Sequence, residues 1–153
     1  VQTMVVLIIF AQGIKMKDKM KVAYMKAANI FGDLSYCVRR KVGCVIVRDD
    51  RIVSIGYNGT PAGWDNCCET EDNVTKPEVI HAESNAITKL AKCHESGKDA
   101  DMFINTAPCI DCAKLIYQTG IRKVYYEEIY RSDDGLNLLR ACGVTVEQVS
   151  AGG

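Results

Sequence analysis

Two short segments constrain this chain more than anything else in it: His81-Ala82-Glu83 and Pro108-Cys109-Ile110-Asp111-Cys112. Each stands where a helix is expected to start after a loop or strand. In α/β sheets, ligands gather at the strand ends where helices begin. Cys109 and Cys112 are three apart, so one helical turn brings their sulfurs to the same face. His81 adds a nitrogen donor. Three such side chains make a tetrahedral zinc site with one corner open, as a catalytic zinc requires; a structural zinc takes a fourth protein ligand.

Helix N-termini carry partial positive charge, which stabilises thiolates and favours ligation. Glu83, two residues past His81, can point into the site from the first turn without binding the metal, which suits a proton shuttle. Either segment alone says little. A lone Cys-x-x-Cys can be a redox pair or half a structural zinc site, and His-x-Glu is common by chance. Together, with Pro108 ahead of the cysteines, they match the signature of zinc deaminases. In that chemistry zinc readies a water for attack on C4 of a cytosine ring, and the carboxylate moves the protons.

Composition narrows the substrate. Lys plus Arg equals Asp plus Glu, so the formal net charge is zero. Proteins that hold long nucleic acid usually carry a basic surplus, whereas a small anion needs only one or two well-placed cations. Eight cysteines in 153 residues could suggest a disulfide framework. Without a recognisable secretory signal, and in a chain long enough to fold unaided, metal ligation plus buried thiols is the better reading. Cys44 and Cys142, in apolar settings, read as core thiols, and His94 as a helix-end surface residue. Residues 4–11 form an uninterrupted apolar run, too short to span a membrane as a helix and lacking the flanks of a signal peptide. Residues 1–15 are therefore set apart as an extension of uncertain role, either an upstream addition or an extra β segment, and residues 16–153 as one domain.

The hydrophobic pattern predicts a helix over 17–34, with Met20, Ala23, Ala27, Ile30 and Phe31 at helical steps and lysines between them. Strands at 42–47 and 52–55 flank Asp49-Asp50 as a hairpin. Residues 58–77 read as a long loop of the kind that tends to be functional. A helix follows from His81 to Ala91, then a strand at 102–105, a helix at 109–118 capped by Gly120, a strand at 124–126, a helix at 133–141, and a strand at 144–149. This order, αββαβαβαβ, predicts a single three-layer α/β/α domain built on a mixed five-stranded sheet.

Gly56-Tyr57-Asn58-Gly59-Thr60-Pro61-Ala62-Gly63, His81-Ala82-Glu83-Ser84-Asn85-Ala86-Ile87 and Pro108-Cys109-Ile110-Asp111-Cys112-Ala113-Lys114 together resemble the deoxycytidylate deaminase branch of the cytidine and deoxycytidylate deaminase superfamily. The resemblance spans roughly residues 37–146. It implies a cytidine deaminase-like fold and hydrolysis of dCMP to dUMP and ammonia in the cytoplasm. Zinc would be held by His81, Cys109 and Cys112, with Glu83 catalytic. It also implies a hexamer activated by dCTP with Mg2+ and inhibited by dTTP.

By the same resemblance Asn58, Ala82 and Tyr130 contact substrate: Asn58 near the sugar, Tyr130 stacked on the base. Arg39, from the triplet Arg39-Arg40-Lys41, takes the 5′-phosphate, for which a guanidinium fork is suited. Each has a plainer alternative: Asn58 a turn residue, Tyr130 a surface tyrosine, the triplet a solvated turn. Some relatives hold a second, structural zinc. Cys37 and Cys67 (or Cys68) match two of its ligands here, against free or disulfide-paired cysteines. Rival functions are a deaminase of flipped-out bases in RNA or single-stranded DNA, and a silent zinc module that binds nucleotides.

Overall fold

The computed structural model describes residues 15–152. Helix α1 spans Asp18–Gly32. Strands β1 (Gly43–Arg48) and β2 (Arg51–Tyr57) follow, then α2 (Ala82–Leu90), β3 (Asp101–Thr106) and α3 (Ile110–Gln118). β4 (Lys123–Glu128), α4 (Asp134–Ala141) and β5 (Thr145–Gln148) complete the domain. The apolar run at 4–11, and all of the 1–15 extension except Lys15, lie outside the described residues. Among the described residues no helix is long and apolar enough to cross a membrane.

The five strands form one mixed sheet in the order β2-β1-β3-β4-β5. β1 runs antiparallel to β2 and β3, and β3, β4 and β5 run parallel. Asp49 and Asp50 turn the β1–β2 hairpin with φ of 51° and 58°, the left-handed pair that a two-residue turn between twisted strands requires and that Asp tolerates.

Strand alternation divides the core into two layers. Cys44, Ile46, Met102, Ile104, Val124 and Tyr126 point to one face, where Ala82, Ala86, Ala113, Ile116, Leu136 and Leu139 of α2, α3 and α4 cover them. Val45, Val47, Phe103 and Tyr125 point to the other face, under Tyr24, Met25 and Ala28 of α1. Phe103 and Tyr125 stack there at 4.5 Å between ring centroids. This is the expected α/β/α layering, with one helix on one face and three on the other.

Some details depart from the pattern read in the sequence. β4 continues past Tyr126 because its parallel pairing with β3 extends to Thr106 opposite Glu128. Lys21 is one of the lysines set between the apolar positions of α1. It is buried, and its Nζ donates to both carboxylate oxygens of Glu147 on β5, at 2.9 and 3.1 Å. That bond raises the pKa of Lys21 and keeps a charge paired at the edge of the α1 layer.

Gly56 controls how closely α2 approaches the sheet. A Cβ at Gly56 would overlap the Ala82 carbonyl oxygen and the Ala86 amide nitrogen, so only glycine lets the helix that carries His81 and Glu83 sit directly on β2. Gly56→Ala should therefore cost about 1–3 kcal/mol through forced displacement of α2. A thermal melt checks the loss, and a zinc titration should show weaker metal retention.

Candidate metal centre and substrate cavity

His81 and Cys109 are the N-cap residues of α2 and α3. Both have extended backbone conformations, and neither uses its side chain to cap its own helix. Their carbonyls instead start the helices, accepting from the amides of Asn85 and Ala113 at 2.9 Å each. The side chains are thus free to turn towards each other across the two parallel helix starts. Cys112, one turn into α3, joins them from a buried position.

His81 Nδ1 lies 3.5 Å from Cys109 Sγ and 3.4 Å from Cys112 Sγ. A tetrahedral zinc with Zn–S of about 2.3 Å and Zn–N of about 2.0–2.1 Å implies an N···S edge of about 3.6 Å. The donors therefore stand at zinc-binding separations, and all three ligand atoms fall within 4.8 Å of one another. Among the described residues no other group of three such donors gathers. The set supplies three ligands and leaves a fourth position for water. Ser84 Oγ lies 3.6 Å from Cys112 Sγ, placed to steady that sulfur as a ligand; sequence reasoning gave Ser84 no part.

The electrostatics of the cluster follow from its crowding. Hydrogen bonds from the Cys112 thiol and the His81 ring hold Cys109 down to about 4. Cys112 is pushed up, because Cys109 beside it already carries the charge. The bond to Cys109 raises His81. Glu83 is buried, 3% exposed, and that burial pushes its carboxyl up to about 7.

A cavity of about 260 Å³ opens over this centre. It brings together nearly every residue singled out in the sequence: His81, Ala82, Glu83 and Cys109, with Asn58, Arg39 and Tyr130. The Ala82 amide belongs to the first turn of α2, where backbone donors have no partner within the helix. Asn58 is neither a simple turn residue nor an idle one. Its Nδ2 donates to the Arg40 carbonyl at 2.8 Å, and its Oδ1 accepts from the Val42 amide at 2.9 Å. It thereby pins the chain that leads from the basic triplet into β1.

Three arginines, Arg39, Arg40 and Arg131, line the same cavity. Arg40 is committed: its guanidinium bonds Thr106 Oγ1 at 3.1 Å and pairs with Glu128. Arg39 makes a long side-chain bond to Thr75 at 3.5 Å and stands near the Tyr130 hydroxyl, and is freer than Arg40. The guanidinium carbons of Arg40 and Arg131 lie 5.0 and 5.2 Å from the centre of the Tyr130 ring, so that ring already packs against cations. Arg131 was missed in the sequence, where its one signal is its place beside Tyr130.

Cys37 also lines the cavity, but its partner corrects the expectation of Cys67 as fellow ligand. Cys37 is disulfide-bonded to Cys68, with Cα atoms 5.2 Å apart. Cys67 points away: it is exposed, and its Sγ bonds the Glu69 carbonyl oxygen at 3.3 Å. Alternation along the loop puts only one of the two adjacent cysteines on the inner side.

Residues 17–128 match the cytidine and deoxycytidylate deaminase zinc-binding region. The chain belongs to that family. Deoxycytidylate deaminase of Saccharomyces cerevisiae is 38% identical over 137 residues, covering 83% of this chain and 44% of the yeast protein. The Schizosaccharomyces pombe enzyme is 35% identical over 137 residues, covering 82% of this chain and 42% of its own length. The chain thus spans less than half of either yeast relative. The dCMP deaminase of cyanophage S-TIM5, solved in complex with dCMP and dUMP, is 47% identical with a TM-score of 0.87, covering 88% of this chain and 100% of that one. The matched family region is described as zinc-binding, and His81, Cys109 and Cys112 are the donors within it that stand at metal-binding separations.

Cys109→Ala should remove one ligand and leave its neighbours unable to close the site. Zinc content by elemental analysis is expected to fall well below that of the unaltered protein. Full zinc occupancy in this variant would show that Cys109 is not a ligand.

Proposed function

We propose that this chain hydrolyses dCMP to dUMP and ammonia. One observation carries the reading: a buried carboxyl outside the donor set, Glu83, shares a cavity with an open-cornered His/Cys/Cys site and with Arg39, whose side chain is only loosely held. The likeness to a phage enzyme solved with dCMP and dUMP supports the choice of substrate.

A zinc ion held by His81, Cys109 and Cys112 would supply a water acidic enough to lose a proton near neutral pH, with a pKa of about 7 against about 16 in bulk. Glu83 accepts that proton. It passes it to the ring nitrogen next to the carbon under attack, then takes the second proton of that water from the new hydroxyl on the attacked carbon and delivers it to the departing amino group, which leaves as ammonia. Its burial sets a proton affinity suited to both steps, because a shuttle works best near the operating pH. The Ala82 amide is a donor for the base edge, and Pro108 and Ala107 give the cavity apolar wall. Arg39, less engaged than Arg40, takes the 5′-phosphate, with Arg131 beside Tyr130 at the same cavity. Asn58 acts on the sugar side through the chain it pins. Tyr130 stands at the cavity as the side chain to stack on the base.

The same reading includes a cytoplasmic homo-oligomer, a hexamer by family resemblance, with dCTP and Mg2+ as activator and dTTP as inhibitor. Large apolar side chains left exposed on α3, namely Ile110, Leu115 and Tyr117, are consistent with association. Sedimentation velocity tests the assembly, and a monomer at working concentration would reject it.

Glu83→Gln should retain zinc and fold while turnover falls by about 100-fold or more. Metal analysis beside an ammonia assay checks this; near-normal turnover would remove Glu83 from the mechanism. The assay should compare dCMP, CMP, deoxycytidine and dCTP, each with and without effector. Arg39→Ala should raise KM for dCMP far more than for deoxycytidine. No ammonia from dCMP, even with dCTP and Mg2+ present, would overturn the proposal.

A further inference from the structure

The cysteine pair beside the cavity belongs to no step above. Cys37 and Cys68 are 2% and 1% exposed, and their bond joins the segment between α1 and β1 to the long loop after β2. Two residues beyond Cys37 stands Arg39; one beyond Cys68 stands Glu69. The Glu69 carboxylate accepts from the amides of Val38 and Arg39, at 2.9 and 3.2 Å. The Ser35 hydroxyl donates to the Asn58 carbonyl oxygen at 2.8 Å, and Asn58 grips Arg40 and Val42 in turn. One wall of the cavity is therefore sewn to the loop by polar bonds on both sides of a single covalent one.

We propose that the Cys37–Cys68 bond is a redox-controlled clamp that sets affinity for the phosphorylated substrate by holding Arg39 at the cavity. This rests on the mononucleotide reading above. Arg39 depends on its backbone for placement, because its side chain is held only by exposed groups, the long contact with Thr75 and the neighbouring Tyr130 hydroxyl. The bonds to Glu69 include one at an exposed amide, and solvent-exposed hydrogen bonds of this kind are individually weak. Breaking the disulfide leaves two thiols in a closed space, and two thiols need more room than one bond. The segments must then part, and Arg39 moves with them. The chemistry is thiol–disulfide exchange: two small-molecule thiols give up their protons to the two cysteine sulfurs and two electrons to the bond, and leave as one disulfide. In a reducing compartment such bonds are usually transient or redox-sensing.

Binding linkage makes the effect reciprocal. If the closed bond strengthens nucleotide binding, bound nucleotide strengthens the bond by the same factor. Cys37 lines the cavity, so a nucleotide there also shields it.

The test compares the enzyme before and after reduction with a phosphine, with thiol counts and zinc content measured on both samples. Reduction is expected to raise KM for dCMP about tenfold, as loss of one well-placed charged contact does. It should leave kcat within about twofold and KM for deoxycytidine unchanged. Cys37→Ser/Cys68→Ser should behave as the reduced enzyme and ignore the reductant, while Cys67→Ser keeps the response. Added dUMP should make the bond harder to reduce. A KM for dCMP that stays the same after complete reduction would overturn the clamp. So would protein prepared without reductant that carries free Cys37 and Cys68 and two zinc ions per chain, since the pair would then be metal ligands. Failure of the mononucleotide reading looks different: the oxidised enzyme itself would show no preference for dCMP over deoxycytidine.

Discussion

Three donor atoms must meet at one point from two helices, and the rest of the structure is arranged around that meeting. His81 and Cys109 reach it because each is the last residue before its helix and leaves its own cap unmade. The two helices can lie side by side only if little stands between them and the sheet. Ala82, Ala86 and Ala113 are fully buried at that contact, and Gly56 removes the last Cβ on the strand side. Gly135 does the same for α4, where a side chain would collide with the Pro108 carbonyl. Small residues here are a geometric condition for ligation: with bulkier ones the apolar core could still form, but the donors would not converge.

The sheet supplies the second condition. β3 and β4 run parallel, so the chain leaves both at the same edge. The cysteine segment after β3 and the Tyr130-Arg131 segment after β4 therefore arrive at one end of the sheet. β1 runs the other way, so that same end receives the chain entering β1, which carries Arg39 and Arg40. The candidate metal donors, the Tyr130 ring and the cations come from four separate stretches of sequence. They share a cavity because strand direction sends them all to one place. The result follows the general rule that ligands bind at the carboxyl ends of parallel strands.

Residues that act through short-range spacing were legible from sequence, and those that act through distant partners were not. The ligand set and Glu83 lie within motifs of three to five residues, where a helical turn determines who faces whom. The five strands and four helices followed from apolar periodicity. The burial of Lys21 was not read from the sequence, because its partner, Glu147, lies 126 residues away, and no local pattern announces a buried ion pair. The choice between Cys67 and Cys68 as the partner of Cys37 depended on which way an irregular loop faced. Asn58 was found, but its amide turned out to hold backbone. Its neighbours in space, Arg40 and Val42, belong to a strand entry that composition cannot locate. Arg131 was missed because one arginine beside a tyrosine at a strand end is ordinary until the fold brings Arg39 and Arg40 beside it.

A chain with zero net charge that nevertheless lines a cavity with three arginines concentrates positive charge in one place. Long-range attraction of a nucleic acid needs charge spread over many phosphate spacings, and screening at physiological salt reduces that attraction beyond about 8 Å. Here Glu128 neutralises Arg40 directly, and Glu69, also at the cavity wall, sits against the backbone beside Arg39. The positive field is thus confined to the cavity, where lower polarity makes each remaining charge count for more. A monophosphate that enters meets that field at close range, while a polymer passing outside meets a surface of mixed sign. Confinement also gives Glu69 a double effect: it subtracts a charge from the arginine wall, yet its carboxylate holds Val38 and Arg39 in place. One of its oxygens is bonded to two amides, so part of its charge is directed at the chain and not at the cavity.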